Sequence, residues 1–203
     1  MTSVQVETDY GPARVELHCA EEGRAVLLLG HGAGGGFGAK DLIVVTRAAQ
    51  AAGVHVALVE QPYRVAGRRA PAPARQLDNA WLTVAEELAD GQFDGLPAVF
   101  GGRSSGARVA CRTAAAGQAV AVLCLAFPTH PPGKPEKTRQ PELDAVEVPT
   151  LVVQGERDPF GVPAAGPHHE LVLLAGDHSL SADLDGVARA TSEWLERVLR
   201  PLD

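Results

Sequence analysis

Short apolar runs alternate with helix-forming segments along most of this chain, and this alternation restricts the fold more than any other feature. The runs lie at residues 25–29, 54–59, 96–100, 119–127, 150–154 and 170–174. Several are apolar throughout rather than at every second residue, which is typical of strands covered on both faces. Strands that alternate with helices favour a parallel sheet with helices on both sides. The sequence therefore predicts an α/β fold with a doubly wound, mostly parallel sheet.

The first 18 residues have a different pattern. Val4 and Val6, then Val15 and Leu17, alternate with polar residues on either side of a turn at residues 10–12. This pattern predicts an antiparallel hairpin at one edge of the sheet. The N-terminal segment lacks the basic and then apolar pattern of a signal peptide, and no apolar run is long enough to span a bilayer. We therefore expect a cytoplasmic protein that does not enter the membrane.

Length and composition indicate one soluble domain over residues 1–203, with a hydrophobic fraction of 45% and a charged fraction of 21%. The net charge of −7 argues against nucleic acid as a partner. Cys19, Cys111 and Cys124 are odd in number and lack the spacing of metal ligands, so we expect reduced, buried thiols. No metal and no organic cofactor is expected.

One serine stands where an apolar strand changes into a helix. The frame Gly102-x-Ser104-x-Gly106 is the pattern of a nucleophile elbow, in which flanking glycines let the strand and the helix approach closely. Ser105 fits the frame poorly, because Arg103 would then occupy the first glycine position. A pattern this short also arises by chance in a chain with 22 glycines, so its context must decide.

A serine nucleophile needs a base and an acid, and both should follow strands at the same end of the sheet. His178 follows the strand at residues 170–174, and Asp158 follows the strand at residues 150–154. The order Ser104, Asp158, His178 is the serine–acid–histidine order of α/β-hydrolases. The alternatives are a loop histidine at 178 and a turn residue at 158; Asp144, Glu156 and, less favoured, Asp177 remain alternative acids. His18, His55, His168 and His169 lie within or before strands.

A glycine-rich loop, HGAGGG at residues 31–36, follows the first apolar strand. In this fold such a loop supplies one oxyanion donor and the residue after the nucleophile supplies the other. We therefore predict donors from the backbone N–H of Ser105 and from that of Ala33 or Gly34. A phosphate-binding role is disfavoured, because the nucleotide-binding glycine patterns are missing. His31 and His130 are candidate pocket-lining residues, and loop packing is the alternative for His130.

With these residues in place, the chain resembles a small, lid-less α/β-hydrolase similar to dienelactone-hydrolase-like enzymes. It most resembles the testis-expressed hydrolase-like proteins and the hydrolase-like domain of a non-specific-lethal complex subunit. The likeness covers nearly the whole chain and is strongest at residues 31–36, 101–110, 127–137 and 153–161. Such relatives often carry methionine at the position of Ser105, and some have lost the serine and act as scaffolds. Dienelactone hydrolases use cysteine as the nucleophile where this chain has Ser104.

These features together predict a serine hydrolase that acts on a carboxylic ester or thioester. Only 54 residues separate Ser104 from Asp158, which leaves no room for a cap domain and favours small or exposed acyl groups. A non-catalytic scaffold and an acyltransferase with the same triad are the alternatives. The four arginines of residues 61–75 either form a solvated loop or attract an anionic substrate. The expected ligand is a small-molecule acyl compound; a protein partner is unknown.

Overall fold

Eight strands form one sheet in the order β1-β2-β4-β3-β5-β6-β7-β8 in a computed structural model that describes residues 2–200. Met1 and residues 201–203, which belong to the predicted domain, lie outside the described residues. The strands are β1 (Thr2–Val6), β2 (Ala13–His18), β3 (Ala25–Gly30), β4 (Val54–Glu60), β5 (Ala98–Arg103), β6 (Ala121–Leu125), β7 (Thr150–Gly155) and β8 (His169–Leu174). The helices are α1 (Lys40–Ala51), α2 (Pro62–Val65), α3 (Ala74–Asp90), α4 (Ser105–Thr113), α5 (Gln140–Asp144) and α6 (Leu184–Val198).

The predicted N-terminal hairpin is confirmed. β1 pairs antiparallel with β2, with Val4 opposite Val15 and Val6 opposite Ala13. β2 then pairs antiparallel with β4, and all the remaining strand pairs are parallel. The sheet is therefore mostly parallel, with an antiparallel edge.

Helices cover both faces of the sheet, which confirms the predicted doubly wound α/β architecture. On one face, α1 and α6 pack together, and Leu42 and Trp194 join the core formed by Leu27 and Leu29. On the other face, α3 and α4 bury Trp81 and Ala107 against Leu28 and Phe100. Because β3 lies between the two layers, all six of its residues are buried. This explains the uninterrupted apolar run in the sequence.

The strand order reverses beside β3. From β3 the chain moves to β4 on one side, and it then returns to β5 on the other side. Such a reversal opens a crevice outside the carboxyl ends of the two strands that diverge, and ligands of open α/β sheets bind there. The loop at residues 31–36 follows β3, and Ser104 follows β5. Both segments therefore lie at this crevice.

No connection between strands carries a further domain within residues 2–200. The connection from β6 to β7, over residues 126–149, contains only the five-residue helix α5. The predicted absence of a cap domain is therefore confirmed for the described part of the chain. Within the same residues, no helix is both long and apolar enough to cross a membrane.

Three local predictions are wrong. The sequence predicts a last helix from about Ser181 to Leu199, with Ser181 as a plausible N-cap. The helix instead begins at Leu184, because Asp183 is the N-cap and its carboxylate accepts from Gly186 N–H at 2.8 Å. The segment at residues 61–75 is not entirely loop, since it contains α2 and the start of α3. Cys19 is exposed, whereas Cys111 and Cys124 are buried free thiols.

Candidate active site

Ser104 occupies a strained turn between β5 and α4. Its backbone has φ of 53° and ψ of −108°, a conformation that residues with a Cβ atom rarely adopt. A Cβ atom on Gly102 would lie 2.5 Å from the Gly106 carbonyl carbon, and one on Gly106 would lie 2.5 Å from the Gly30 oxygen. Both glycines are therefore required by close backbone contacts. The turn presents the Ser104 hydroxyl at the crevice between β3 and β5.

Ser104, His178 and Asp158 form one chain of hydrogen bonds. His178 Nε2 lies 2.9 Å from Ser104 Oγ, and His178 Nδ1 lies 2.8 Å from Asp158 Oδ2. Because an ionised carboxylate only accepts hydrogen bonds, Nδ1 carries the ring proton and Nε2 can accept from the serine hydroxyl. This is the geometry of a nucleophile, a general base and an orienting acid.

The Asp158 carboxylate is held by its own loop and by the end of β7. Its side chain is completely buried, and Oδ1 accepts from Phe160 N–H at 2.8 Å. Oδ2 accepts a second hydrogen bond from the Gln154 side-chain amide at 2.8 Å. The ring of Phe160 in turn packs against the His178 imidazole, with 4.4 Å between the ring centroids. The acid and the base are therefore fixed together.

Arg103, the residue before the serine, joins the elbow to the histidine loop. Its Nη2 donates to the His178 carbonyl oxygen at 3.1 Å, and its Nε forms an ion pair with Asp41 Oδ2 at 2.8 Å. Burial raises the pKa of Asp41, and the positive charge of Arg103 opposes this shift. Nothing in the sequence indicates this link.

Two backbone segments near Ser104 have N–H groups without hydrogen-bond partners in the described residues. Ser105 is the first residue of α4, where the N–H groups have no partner within the helix and carry the positive end of the helix dipole. Ala33 and Gly34 are the central residues of a turn closed by Gly35 N–H on Gly32 O at 3.0 Å. Within residues 2–200, neither central N–H has a hydrogen-bond partner. These N–H groups are therefore available as donors, and a Cβ atom on Gly32, next to Ala33, would lie 3.7 Å from Ser104 Cβ.

Two side chains, those of Tyr63 and His31, hold the Ala33 turn by hydrogen bonds to its backbone. The Tyr63 hydroxyl donates to Ala33 O at 2.7 Å, and burial raises the pKa of Tyr63 to about 12. The His31 ring accepts from Gln61 N–H at Nε2, at 3.1 Å, so its Nδ1 donates to Gly32 O at 2.7 Å. Burial lowers the pKa of His31, which favours this neutral form. Both ring nitrogens of His31 are therefore engaged by backbone groups, and the residue supports the turn.

His130 lies beside the loop that follows β7 and carries Asp158 and Gly161. Its Nδ1 is 2.9 Å from the Pro131 carbonyl oxygen, and its ring edge lies 3.2 Å from where a Cβ atom of Gly161 would stand. The ring is half-buried and makes no hydrogen bond with Ser104, Asp158 or His178 within the described residues. Its observed contacts are those of loop packing.

The alternative acids are exposed. Asp177 is exposed, and its pKa is lowered by hydrogen bonds from the backbone and hydroxyl of Ser179. Asp144 accepts from Gln140, and Glu156 is exposed. None of the three is paired with His178 in the part of the chain that the structure describes.

The other histidines also have contacts away from the elbow. His55 Nδ1 accepts from Ala20 N–H, His169 Nε2 lies 2.7 Å from Ala164 O, and His18 lies 3.9 Å from Glu16. His168 is exposed.

The arginines of residues 61–75 differ in their exposure and their contacts. Arg64 is half-buried in α2, and its Nη1 donates to Arg68 O at 3.1 Å. Arg68, Arg69 and Arg75 are exposed, and Arg75 belongs to α3. No group of three or more histidine, cysteine or acidic side chains suited to a metal ion occurs within residues 2–200.

The sheet order, the elbow and the hydrogen-bonded serine, histidine and aspartate are the features that define the α/β-hydrolase class. A family model described as an alpha/beta hydrolase domain matches residues 23–194, and the chain belongs to that family. No curated protein matches the sequence. The narrower resemblance to testis-expressed hydrolase-like proteins stays a prediction.

Solved structures with low sequence identity share the fold over almost their whole length. Est1E from Butyrivibrio proteoclasticus is 16% identical, with a TM-score of 0.79 over 98% of this chain and 99% of that chain. A serine hydrolase without a lid from Xanthomonas campestris is 21% identical, with a TM-score of 0.73 over 97% and 94%. A dienelactone hydrolase from Anabaena variabilis is 19% identical, with a TM-score of 0.76 over 97% and 96%. At these identities the likeness supports the fold.

Proposed function

We propose that the protein is a serine hydrolase that cleaves a small or exposed carboxylic ester or thioester through an acyl-enzyme intermediate. The observation that carries the proposal is the continuous hydrogen-bonded chain from Ser104 Oγ through His178 to Asp158, at 2.9 and 2.8 Å. A hydroxyl is a weak nucleophile at neutral pH, and this arrangement supplies the base that activates it.

The first half of the reaction forms the acyl-enzyme. Ser104 Oγ attacks the substrate carbonyl carbon as His178 Nε2 takes the hydroxyl proton. The tetrahedral intermediate then collapses, and the imidazolium gives that proton to the departing alcohol or thiol. Asp158 keeps the ring in the reactive tautomer and stabilises its positive charge.

The second half returns the enzyme to its starting state. A water molecule gives a proton to His178 Nε2 and attacks the acyl carbon, and Ser104 leaves with the proton that the imidazolium returns. In both halves the carbonyl oxygen becomes negatively charged. The N–H groups of Ser105 and of Ala33 or Gly34 are the proposed donors to that oxyanion, and their positions are fixed by α4 and by the Tyr63 hydrogen bond.

The absence of a cap within residues 2–200 supports a preference for small or exposed acyl groups. Long acyl chains gain affinity from apolar walls that surround them, and no additional domain covers the crevice in the described chain. We also propose that the enzyme works in the cytoplasm and needs no organic cofactor, in line with its composition and with a triad that completes the chemistry by itself.

Hydrolysis of p-nitrophenyl esters from acetate to decanoate tests the proposal. We expect wild-type turnover to be highest for the short chains, and S104A and H178Q to lose about 10³-fold or more in kcat. S192A, on α6, is a matched serine control and should retain wild-type rates. A wild-type protein that is folded yet inactive on all of these esters would favour the scaffold alternative. Rates that rise towards decanoate would contradict the open-site argument.

A further inference from the structure

Gln154, the penultimate residue of β7, touches the same carboxylate oxygen as the catalytic histidine. Its side-chain nitrogen lies 2.8 Å from Asp158 Oδ2, and His178 Nδ1 also lies 2.8 Å from that oxygen. Gln154 is completely buried, and it makes no contact with Ser104 that would place it in the reaction itself. Asp158 Oδ2 thus accepts two hydrogen bonds, one from His178 Nδ1 and one from the Gln154 amide.

The surroundings of Gln154 fix which end of its amide faces the acid. The nitrogen also lies 2.8 Å from Gly161 O and 3.2 Å from Phe127 O. All three neighbours only accept hydrogen bonds, so a flipped amide would place its oxygen against a carboxylate and two carbonyls. The nitrogen therefore links Asp158 and Gly161, in the loop after β7, with Phe127, just after β6.

The oxygen of the same amide, unlike the nitrogen, has no hydrogen-bond partner among the described residues. This atom, Gln154 Oε1, is also buried. An unpaired buried acceptor destabilises a fold, and an apolar side chain of the same shape would avoid that penalty. What the glutamine supplies against that cost is the contacts of its nitrogen with Gly161 O, Phe127 O and Asp158 Oδ2, and only the last of these reaches the triad.

We propose that Gln154 is a positioning residue for the triad: its amide holds Asp158 Oδ2 towards His178 and withdraws part of the negative charge from that oxygen. The proposal rests on the proposed hydrolase function. A carboxylate that receives a neutral donor attracts the imidazole proton less strongly than one without it. Removing the amide is therefore expected to strengthen the attraction of Asp158 for the imidazole proton.

Among the other charged groups near this pair, Asp177 interacts electrostatically with His178. Arg103 reaches the His178 carbonyl and is paired with Asp41. Asp177 is exposed and engaged by Ser179, and His130 stands beside Gly161. Because the Gln154 substitutions leave these groups in place, a change in proton binding by His178 reports the lost amide.

The test compares Q154L and Q154E with the wild type and with Q140L. Gln140 is a matched control, since its amide also donates to an aspartate at 2.8 Å, but to Asp144 within α5, which is not paired with His178. We expect Q154L to lose about 10-fold or more in kcat/KM, mostly in kcat. We also expect the acid limb of its pH profile to move to higher pH by roughly half a unit or more. Q140L should match the wild type in both.

Q154E keeps the shape of the side chain and donates only when its carboxyl group is protonated. Its activity relative to the wild type should therefore rise as the pH falls, which a purely structural role would not produce. If Q154L does not fold, Q154E alone makes the comparison. Wild-type kcat/KM together with an unmoved acid limb in Q154L, or a Q154E deficit that does not vary with pH, would overturn the proposal.

NMR titration of the His178 ring gives a readout that does not need substrate. We expect the midpoint of the His178 titration to move to higher pH in Q154L and to stay in place in Q140L. An unmoved midpoint in Q154L overturns the proposal even if the esterase is active. A moved midpoint in a protein inactive on every ester keeps it and contradicts only the proposed function.

Discussion

The strain at Ser104 predicts that the nucleophile position is not optimal for stability. Its φ of 53° and ψ of −108° suit glycine rather than a residue with a Cβ atom. The prediction compares S104G with S104A, because both substitutions remove the hydroxyl and its contact with His178, and they differ only in the Cβ atom.

The magnitude follows from two opposing contributions. Holding a non-glycine residue in this region costs about 1–3 kcal/mol, and S104G removes that strain. Glycine loses more conformational entropy on folding, which costs about 0.5–1 kcal/mol. The difference favours S104G by about 1 kcal/mol. For a chain of this size, that free energy corresponds to a melting temperature about 2–4 °C higher than that of S104A.

Thermal and urea unfolding of the two inactive variants measures this difference directly. The urea midpoints and the m-values should be compared, because with an unchanged m-value a shifted midpoint reports a difference in stability rather than in the surface exposed on unfolding. An S104G variant that is equal to or less stable than S104A would refute the claim that strain is stored at the elbow.

Three further substitutions test the surroundings of the serine. G106A places a Cβ atom against the β3 backbone and should lower the free energy of unfolding by about 3 kcal/mol or abolish soluble expression. G34A is its control: a Cβ atom there meets open space, so the free energy of unfolding in urea should change little. Y63F removes the hydrogen bond to Ala33 O, so it should lower the free energy of unfolding by about 0.5–1.5 kcal/mol and reduce kcat on esters. A wild-type kcat in Y63F would show that activity does not depend on this hydrogen bond. Burial lowers the pKa of His31 below its usual 6.5, so the contribution of His31 to stability is complete above pH 6.5 and is lost as the pH falls towards the lowered pKa. H31N should therefore lose less stability to urea between pH 7.5 and 5 than the wild type does. Equal losses in the two proteins would contradict this role.

The three members of the hydrogen-bonded chain were predictable because the topology brings them together. Ser104, Asp158 and His178 each follow a strand of a parallel sheet, and the carboxyl ends of such strands meet at one edge. An alternating pattern of strands and helices is enough to infer that edge. The distances of 2.9 and 2.8 Å needed the structure.

The supporting contacts were not predictable, because they depend on how distant segments pack. Arg103 could be placed only at the end of β5, and nothing in the sequence indicates that α1 brings Asp41 to its guanidinium. Gln154 looked like the polar end of an apolar strand. The inward direction of its side chain follows from the register of β7 against β6 and β8, which the sequence does not specify.

The start of α6 shows how two local preferences compete. Ser181 and Asp183 are both good N-cap residues, and the sequence alone favoured the first. In the structure the Ser181 hydroxyl lies 2.7 Å from the Ser179 hydroxyl, within the turn after His178. That turn continues two residues further, so Asp183 caps the helix instead.

Covalent labelling with a fluorophosphonate tests the central claim, an activated serine nucleophile at position 104, most directly. The reagent forms a stable phosphonyl ester only with a serine that a neighbouring base activates. We predict one adduct by intact mass, located at Ser104 by peptide mapping and lost in S104A and H178Q, while S192A still reacts. A folded wild-type protein that stays unlabelled, or one labelled at Ser105 or another serine, would contradict it.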